Sequence, residues 1–115
     1  MVDPKEFDKL LADSIDDALL SLGESVREAI YFQIENKFSL PRSEIPRKLE
    51  RFQSALERIF GVGSRFIEIS IMKNLHSKTN HCFKIDDDQI EFVHYVKAAR
   101  RSLTEKSQKL KPALS

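Results

Sequence analysis

His76, His81, Cys82 and His94 are the soft metal ligands of this chain. A structural zinc site pairs its ligands at tight spacing, such as two cysteines two residues apart. His76-x4-His81-Cys82 lacks that pairing, so a surface loop with a free thiol is the reading, and no metal is expected. Asp86, Asp87 and Asp88 offer clustered carboxylate oxygens of the kind hard cations need. Three consecutive residues at a helix start diverge by about 100° each, and the glycine of a calcium loop is absent. They read as the cap and first turn of a helix, where the helix dipole favours negative charge. Nucleophilic catalysis needs a base within hydrogen-bond reach of a serine or cysteine. No motif of the sequence brings one there, and there is no GxSxG turn. Gly61-Val62-Gly63 lacks the third glycine, the preceding strand and the lysine of a phosphate loop, and reads as a turn. No catalytic residue, cofactor or enzymatic activity is therefore expected.

The basic residues carry more information. Arg42, Arg47, Lys48, Arg51, Arg58 and Arg65 form one cluster; Lys97, Arg100 and Arg101, continued by Lys106, Lys109 and Lys111, form a second. The net charge is only +1, but it is unevenly placed. Residues 1–38 hold nine acidic and four basic side chains, and residues 39–85 hold nine basic and four acidic. Acidic and basic helices packing side by side would produce this distribution. So would a basic face for an anionic partner. On the second reading Arg42, Arg47, Lys48, Arg51, Arg58, Lys97, Arg100 and Arg101 would neutralise phosphates of a nucleic acid.

The elements that must position these groups are helical. With 115 residues, 32% charged and 41% hydrophobic, the chain fits one soluble globular domain. A single cysteine excludes an internal disulfide and fits a reducing, cytoplasmic setting. The N-terminus lacks the basic and apolar regions of a signal peptide, and no apolar run is long enough for a membrane span. Asp3 as N-cap with Pro4 as first helical residue starts a helix predicted over 4–22. Its apolar stripe is Phe7, Leu10, Leu11, Ile15, Ala18, Leu19 and Leu22, at spacings of three and four. Gly23 ends it. A second helix over 24–37 has Val26, Ile30, Ile34 and Phe38 as its main stripe. Pro41 breaks the chain, and Ser43 with Pro46 starts a third helix over 44–60, with Ile45, Leu49, Phe52, Leu56, Ile59 and Phe60 inward.

Ser64 opens the next element, whose text is ambiguous. Ile67, Ile69 and Ile71 alternate as in a strand, while Ile67, Ile71 and Leu75 follow a helical step. A lone strand among helices has no partner to pair with, so a helix over 64–77 is predicted. A fifth helix over 87–105 buries Phe92, Val96, Ala99 and Leu103. The expected fold is an all-α bundle of about five helices, a single domain over 1–110 with a frayed tail at 111–115.

Tyr31 and Phe32 widen the apolar arc of helix two, and Ile69 and Met72 do the same for helix four. These four are the candidate protein-contact residues, and a partly apolar face of this kind suits a homodimer or a regulatory protein partner.

Two stretches, LGESVREAIYFQIENKF and ALERIFGVGSRFIEISIMKNL, carry a family resemblance. Leu22-Gly23, Ser25-Val26, Ala29-Ile30-Tyr31-Phe32, Ile45-Pro46, Ile59-Phe60-Gly61 and Gly63 match a pattern of caps, glycines and core positions. In these the chain resembles the fifth class of the archaeal Nitrosopumilus output domain family, over about residues 15–77. The resemblance implies an output or regulatory module of archaeal signalling proteins, and supplies no catalytic residues. The chain departs from that setting in having no receiver or kinase domain and in carrying a further C-terminal helix. The sequence thus points to a non-enzymatic interaction module in archaeal signalling or transcription, with a small nucleic-acid-associated protein as the alternative.

Overall fold

A computed structural model describes residues 3–79 and 91–104. The expected domain limit at 110, the tail 111–115, Asp86–Asp88, His81 and Cys82 lie outside those residues; the fifth helix, predicted from 87, starts at Phe92, with Glu91 before it non-helical. Within them the chain is an all-α bundle: α1 (Pro4–Leu20), α2 (Glu24–Phe38), α3 (Leu49–Phe60), α4 (Ser64–Thr79) and α5 (Phe92–Thr104). Short 3-10 helices at Arg42–Arg47 and Gly61–Gly63 lead into α3 and α4.

Helix α1 begins as its sequence dictates. The Asp3 side chain accepts from the Glu6 amide at 2.9 Å, and Pro4 occupies the first turn. The helix ends at Leu20, two residues before the predicted limit. The Ser21 hydroxyl takes the Ala18 carbonyl at 2.6 Å, and the Leu22 and Gly23 amides fold back onto Leu19 and Leu20. Gly23 then adopts φ +116°, a backbone that a side chain would strain. This early stop moves Leu22 off the buried stripe and leaves it 44% exposed.

The predicted third helix is in fact two pieces. The chain from Arg42 to Arg47 is a 3-10 turn, Lys48 takes an extended φ of −130°, and the α-helix starts at Leu49. Pro46 has no amide proton to continue an α-helical ladder through the turn. With the break at Lys48, Ile45, Pro46 and Leu49 are all buried. An unbroken helix would have turned Pro46 about 100° away from Ile45. The ambiguous stretch after Gly63 is helical, and it runs to Thr79, whose hydroxyl bonds the Leu75 carbonyl at 2.9 Å.

The core is one cluster that all five helices share. Phe7, Leu11, Ile15, Ala18 and Leu19 on α1 meet Ile67, Ile71, Met72 and Leu75 on α4 within that cluster. The α1–α4 contact is the most extensive in the bundle. Ser14 is fully buried on α1 and satisfies its hydroxyl on the Leu10 carbonyl at 2.8 Å; its own carbonyl accepts from the Asn74 side chain at 3.1 Å. Phe52 of α3 and Phe92 of α5 are also fully buried, with ring centres 6.3 Å apart and tilted by 52°. Phe52→Ala should therefore cost about 3–5 kcal/mol, the range for truncating a buried phenylalanine, measured as a lower urea midpoint with an unchanged slope.

Candidate interaction surfaces

Helix α2 is held at one side only. Its core residues are Ile30, Tyr31 and Ile34, while Val26 is 40% exposed and Phe32 68% exposed. Of the predicted stripe of Val26, Ile30, Ile34 and Phe38, Ile30 and Ile34 are buried and Phe38 packs against the core, while Val26 at the N-terminal end is exposed. The buried face extends to Tyr31, which meets Asp16 of α1. The Tyr31 hydroxyl donates to Asp16 Oδ1 at 3.2 Å, and Arg42 stacks over the Tyr31 ring at 4.2 Å. Burial pushes the Tyr31 hydroxyl's pKa well above its ordinary value. Tyr31 is thus a core residue with a polar handle, not the free contact expected of it.

Met72 is likewise corrected: it is 1% exposed and sits in the core beside Ile71 and Leu75. Ile69 is half-buried and packs against the core. Of the four predicted contact residues, Phe32 alone stands clear of the molecule. The structure adds others. Val62 is 96% and Phe66 78% exposed, at the turn into α4. Phe66 lies opposite the Ile67, Ile71 and Leu75 face, a position legible from the helical step once the strand reading is discarded.

The eight predicted phosphate-binding cations are dispersed over the bundle. Arg42 pairs with Asp16 at 2.6 Å, and Asp16 also takes Arg27 at 3.1 Å. Lys48 pairs with Glu44, four residues back in the first 3-10 helix, at 2.7 Å. Arg51 donates to the Phe38 carbonyl at 2.7 Å, closing the C-terminal end of α2, where a cation is favoured. Arg58 and Arg101 have no ion pair among the described residues. Only Arg47, Lys97 and Arg100 come together, at the start of α1. Arg47 and Arg100 share Asp8 at 3.5 and 2.6 Å, and Lys97 pairs with Glu50 at 2.7 Å. Side-by-side packing of acidic and basic helices accounts for most of the charge asymmetry.

One polar cluster is internal. Glu68 of α4 is 4% exposed. Its carboxylate accepts from the Gln53 amide at 3.4 Å and from Arg65 at 3.5 Å. The same amide nitrogen donates to Glu91 at 3.0 Å. Glu91 in turn caps α5, accepting from the Val93 and His94 amides at 3.1 and 2.9 Å. Burial raises the Glu68 carboxyl's pKa. Burial also acts on Glu91, but the Gln53 amide and the two helix amides outweigh it and hold that carboxyl below the usual range. His94 is exposed beside this cap, and no group of three His, Cys, Asp or Glu side chains among the described residues could hold a metal ion. No helix among them is long and apolar enough to cross a membrane.

No protein-family model matches the chain, and no curated protein or solved structure is significantly similar to it.

Two outcomes follow from these polar contacts. Asp16→Asn removes the charge that joins α2 and the first 3-10 helix to α1. It should cost about 1–2 kcal/mol, between an exposed ion pair and a buried hydrogen bond to charge, read from urea unfolding at neutral pH. The folded chain holds the Glu68 proton more tightly than the unfolded chain, so stability falls as pH rises through the folded Glu68 titration. Glu68→Gln should raise the unfolding midpoint at neutral pH, and the difference should shrink as pH falls towards the ordinary glutamate value of 4.5. A midpoint lowered equally at both pH values would sink that assignment.

Proposed function

We propose that the protein is a non-enzymatic helical interaction module, and that a second copy of itself is the first partner of its α2 face. The observation that carries this reading is Phe32, a phenylalanine 68% exposed on an outward helix face, with Ala29 one turn before it also exposed and Val26 exposed at the edge of that face. Isolated exposed apolar residues are ordinary, but grouped ones mark contact sites. Val62 and Phe66 form a second such group at the head of α4. Self-association of one patch about a two-fold axis needs no other protein to satisfy it.

Four helix hydroxyls support a role without covalent chemistry. Those of Ser14, Ser21, Thr79 and Thr104 are each spent on a carbonyl in the preceding turn of their own helix. The resemblance of residues 15–77 to the archaeal output domain family supports a regulatory setting, in signalling or transcription. The nucleic-acid alternative is weaker, because duplex binding draws on a line of uncommitted cations. Here Arg42, Lys48 and Arg51 are engaged within the fold, in three separate places.

Sedimentation equilibrium over a concentration series tests the reading. The native chain should associate reversibly, and Phe32→Asp should weaken association by about tenfold or more, the loss of one central apolar anchor. Phe66→Asp distinguishes the second group as part of the same contact or a separate one. A native chain that stays monomeric throughout the series would overturn the self-association.

A further inference from the structure

A recess of about 510 Å³ opens where the start of α1, the first 3-10 helix, the start of α3 and the middle of α5 meet. Lys5, Arg47, Lys97 and Arg100 line it together with Asp8 and Glu50. Pro4, Pro46 and Leu49 supply its apolar wall. Four cations thus face two carboxylates, and the imbalance of two positive charges is local to one concavity.

The cations differ in how firmly they are held. Arg100 is fixed: its guanidinium lies 4.7 Å over the Phe7 ring, meets Asp8 at 2.6 Å and donates to the Pro46 carbonyl at 3.3 Å. Asp8 gives its other oxygen to Arg47 at a longer 3.5 Å, and the Arg47 side chain is 72% exposed. Asp8 therefore orients Arg47 while leaving most of its donor fork unspent. The Lys97–Glu50 pair has side chains 57% and 64% exposed. An ion pair so open to water is worth little and exchanges readily for a better acceptor. Lys5 has no ion-pair partner among the described residues.

We propose that this recess binds a phosphomonoester dianion, with the phosphate between Arg47, Lys97 and Lys5 and the organic part of the ester on Pro4, Pro46 and Leu49. Two charges on the ligand match the surplus of two. The oxygens of a phosphate match a planar guanidinium fork joined by two mobile ammonium groups. A carboxylate supplies one charge and two oxygens, and leaves one cation unmatched. This inference is independent of the α2 face, which carries none of these residues.

Phenyl phosphate and inorganic phosphate are suitable probes, titrated into the full chain and followed by backbone amide NMR. Phenyl phosphate should saturate, with its shifts confined to Lys5, Asp8, Arg47, Leu49, Glu50 and Lys97. Inorganic phosphate should bind at the same residues more weakly, for want of a ring to cover the apolar wall. The double variant Arg47→Ala, Lys97→Ala should weaken phenyl phosphate about tenfold or more. Both positions are more than half exposed, so the variant keeps its fold, which far-UV circular dichroism checks. Arg58→Ala, Arg101→Ala removes equal charge elsewhere and should leave the affinity unchanged. Unsaturable shifts spread over the basic surface, or equal losses in the two double variants, would overturn the site. Equal affinities for the two probes would overturn the organic ester as its ligand.

Discussion

Helix α1 must be buried and acidic at once, and the rest of the bundle is arranged around that demand. Its apolar stripe, Phe7, Leu11, Ile15 and Leu19, has no more than 1% exposure at any position. The carboxylates beside the stripe stay near the edge of the core, where each needs a cation or water. Asp8 takes Arg47 and Arg100, Asp16 takes Arg27 and Arg42, and Asp17 takes Lys78 at 2.8 Å. Those cations come from α2, the first 3-10 helix, α4 and α5. Every element that contacts α1 brings a positive side chain to it. The uneven charge of the linear sequence is therefore the trace of this arrangement, folded onto itself.

Magnitudes decide what these ion pairs do. A pair open to solvent contributes about 0–1 kcal/mol, while truncating one buried phenylalanine removes about 3–5 kcal/mol. Apolar burial thus holds the bundle together, and the ion pairs choose which face of each neighbour meets α1. Tyr31 shows the choice being made. Helical spacing alone puts the inward face of α2 on Val26, Ile30, Ile34 and Phe38. Ile30 and Ile34 do face inward, and Arg27 and Tyr31, which meet Asp16, extend the inward face to one side; Val26 lies at its other edge and Phe32 opposite it. The side of α2 that meets α1 is thus fixed partly by a carboxylate on α1, and Phe32 is left exposed on the side away from it.

That coupling also explains which parts of the fold were legible in the sequence. The start of α1 was readable because Asp3 and Pro4 act within one turn of where they stand. The helical state of α4 was readable by elimination, since an isolated strand has nothing to pair with. Local signals could not give the break at Lys48, which depends on Ile45 and Pro46 both finding cover against the core. Nor did they place Met72, a predicted contact residue that the body of the bundle encloses. The same limit applied to the cations. Clustering along the chain grouped Arg42, Arg47, Lys48 and Arg51, but their acceptors lie on α1, within the 3-10 turn and at the end of α2. A basic surface read from sequence became a set of latches once the acceptors were in place.

The short helix from Arg42 to Arg47 joins the two surfaces that remain. Its first residue is tied to Asp16 and lies over Tyr31 at the edge of the α2 face. Its last is tied to Asp8 at the lip of the recess between α1 and α5. The two aspartates are eight residues apart on one helix, a rise of about 12 Å. Between the two ties, Ile45 and Pro46 are buried. A 3-10 turn rises about 2 Å per residue against about 1.5 Å for an α-helix. Six residues wound this way span most of that distance. The 3-10 winding thus lets one short segment meet both aspartates while its centre is buried.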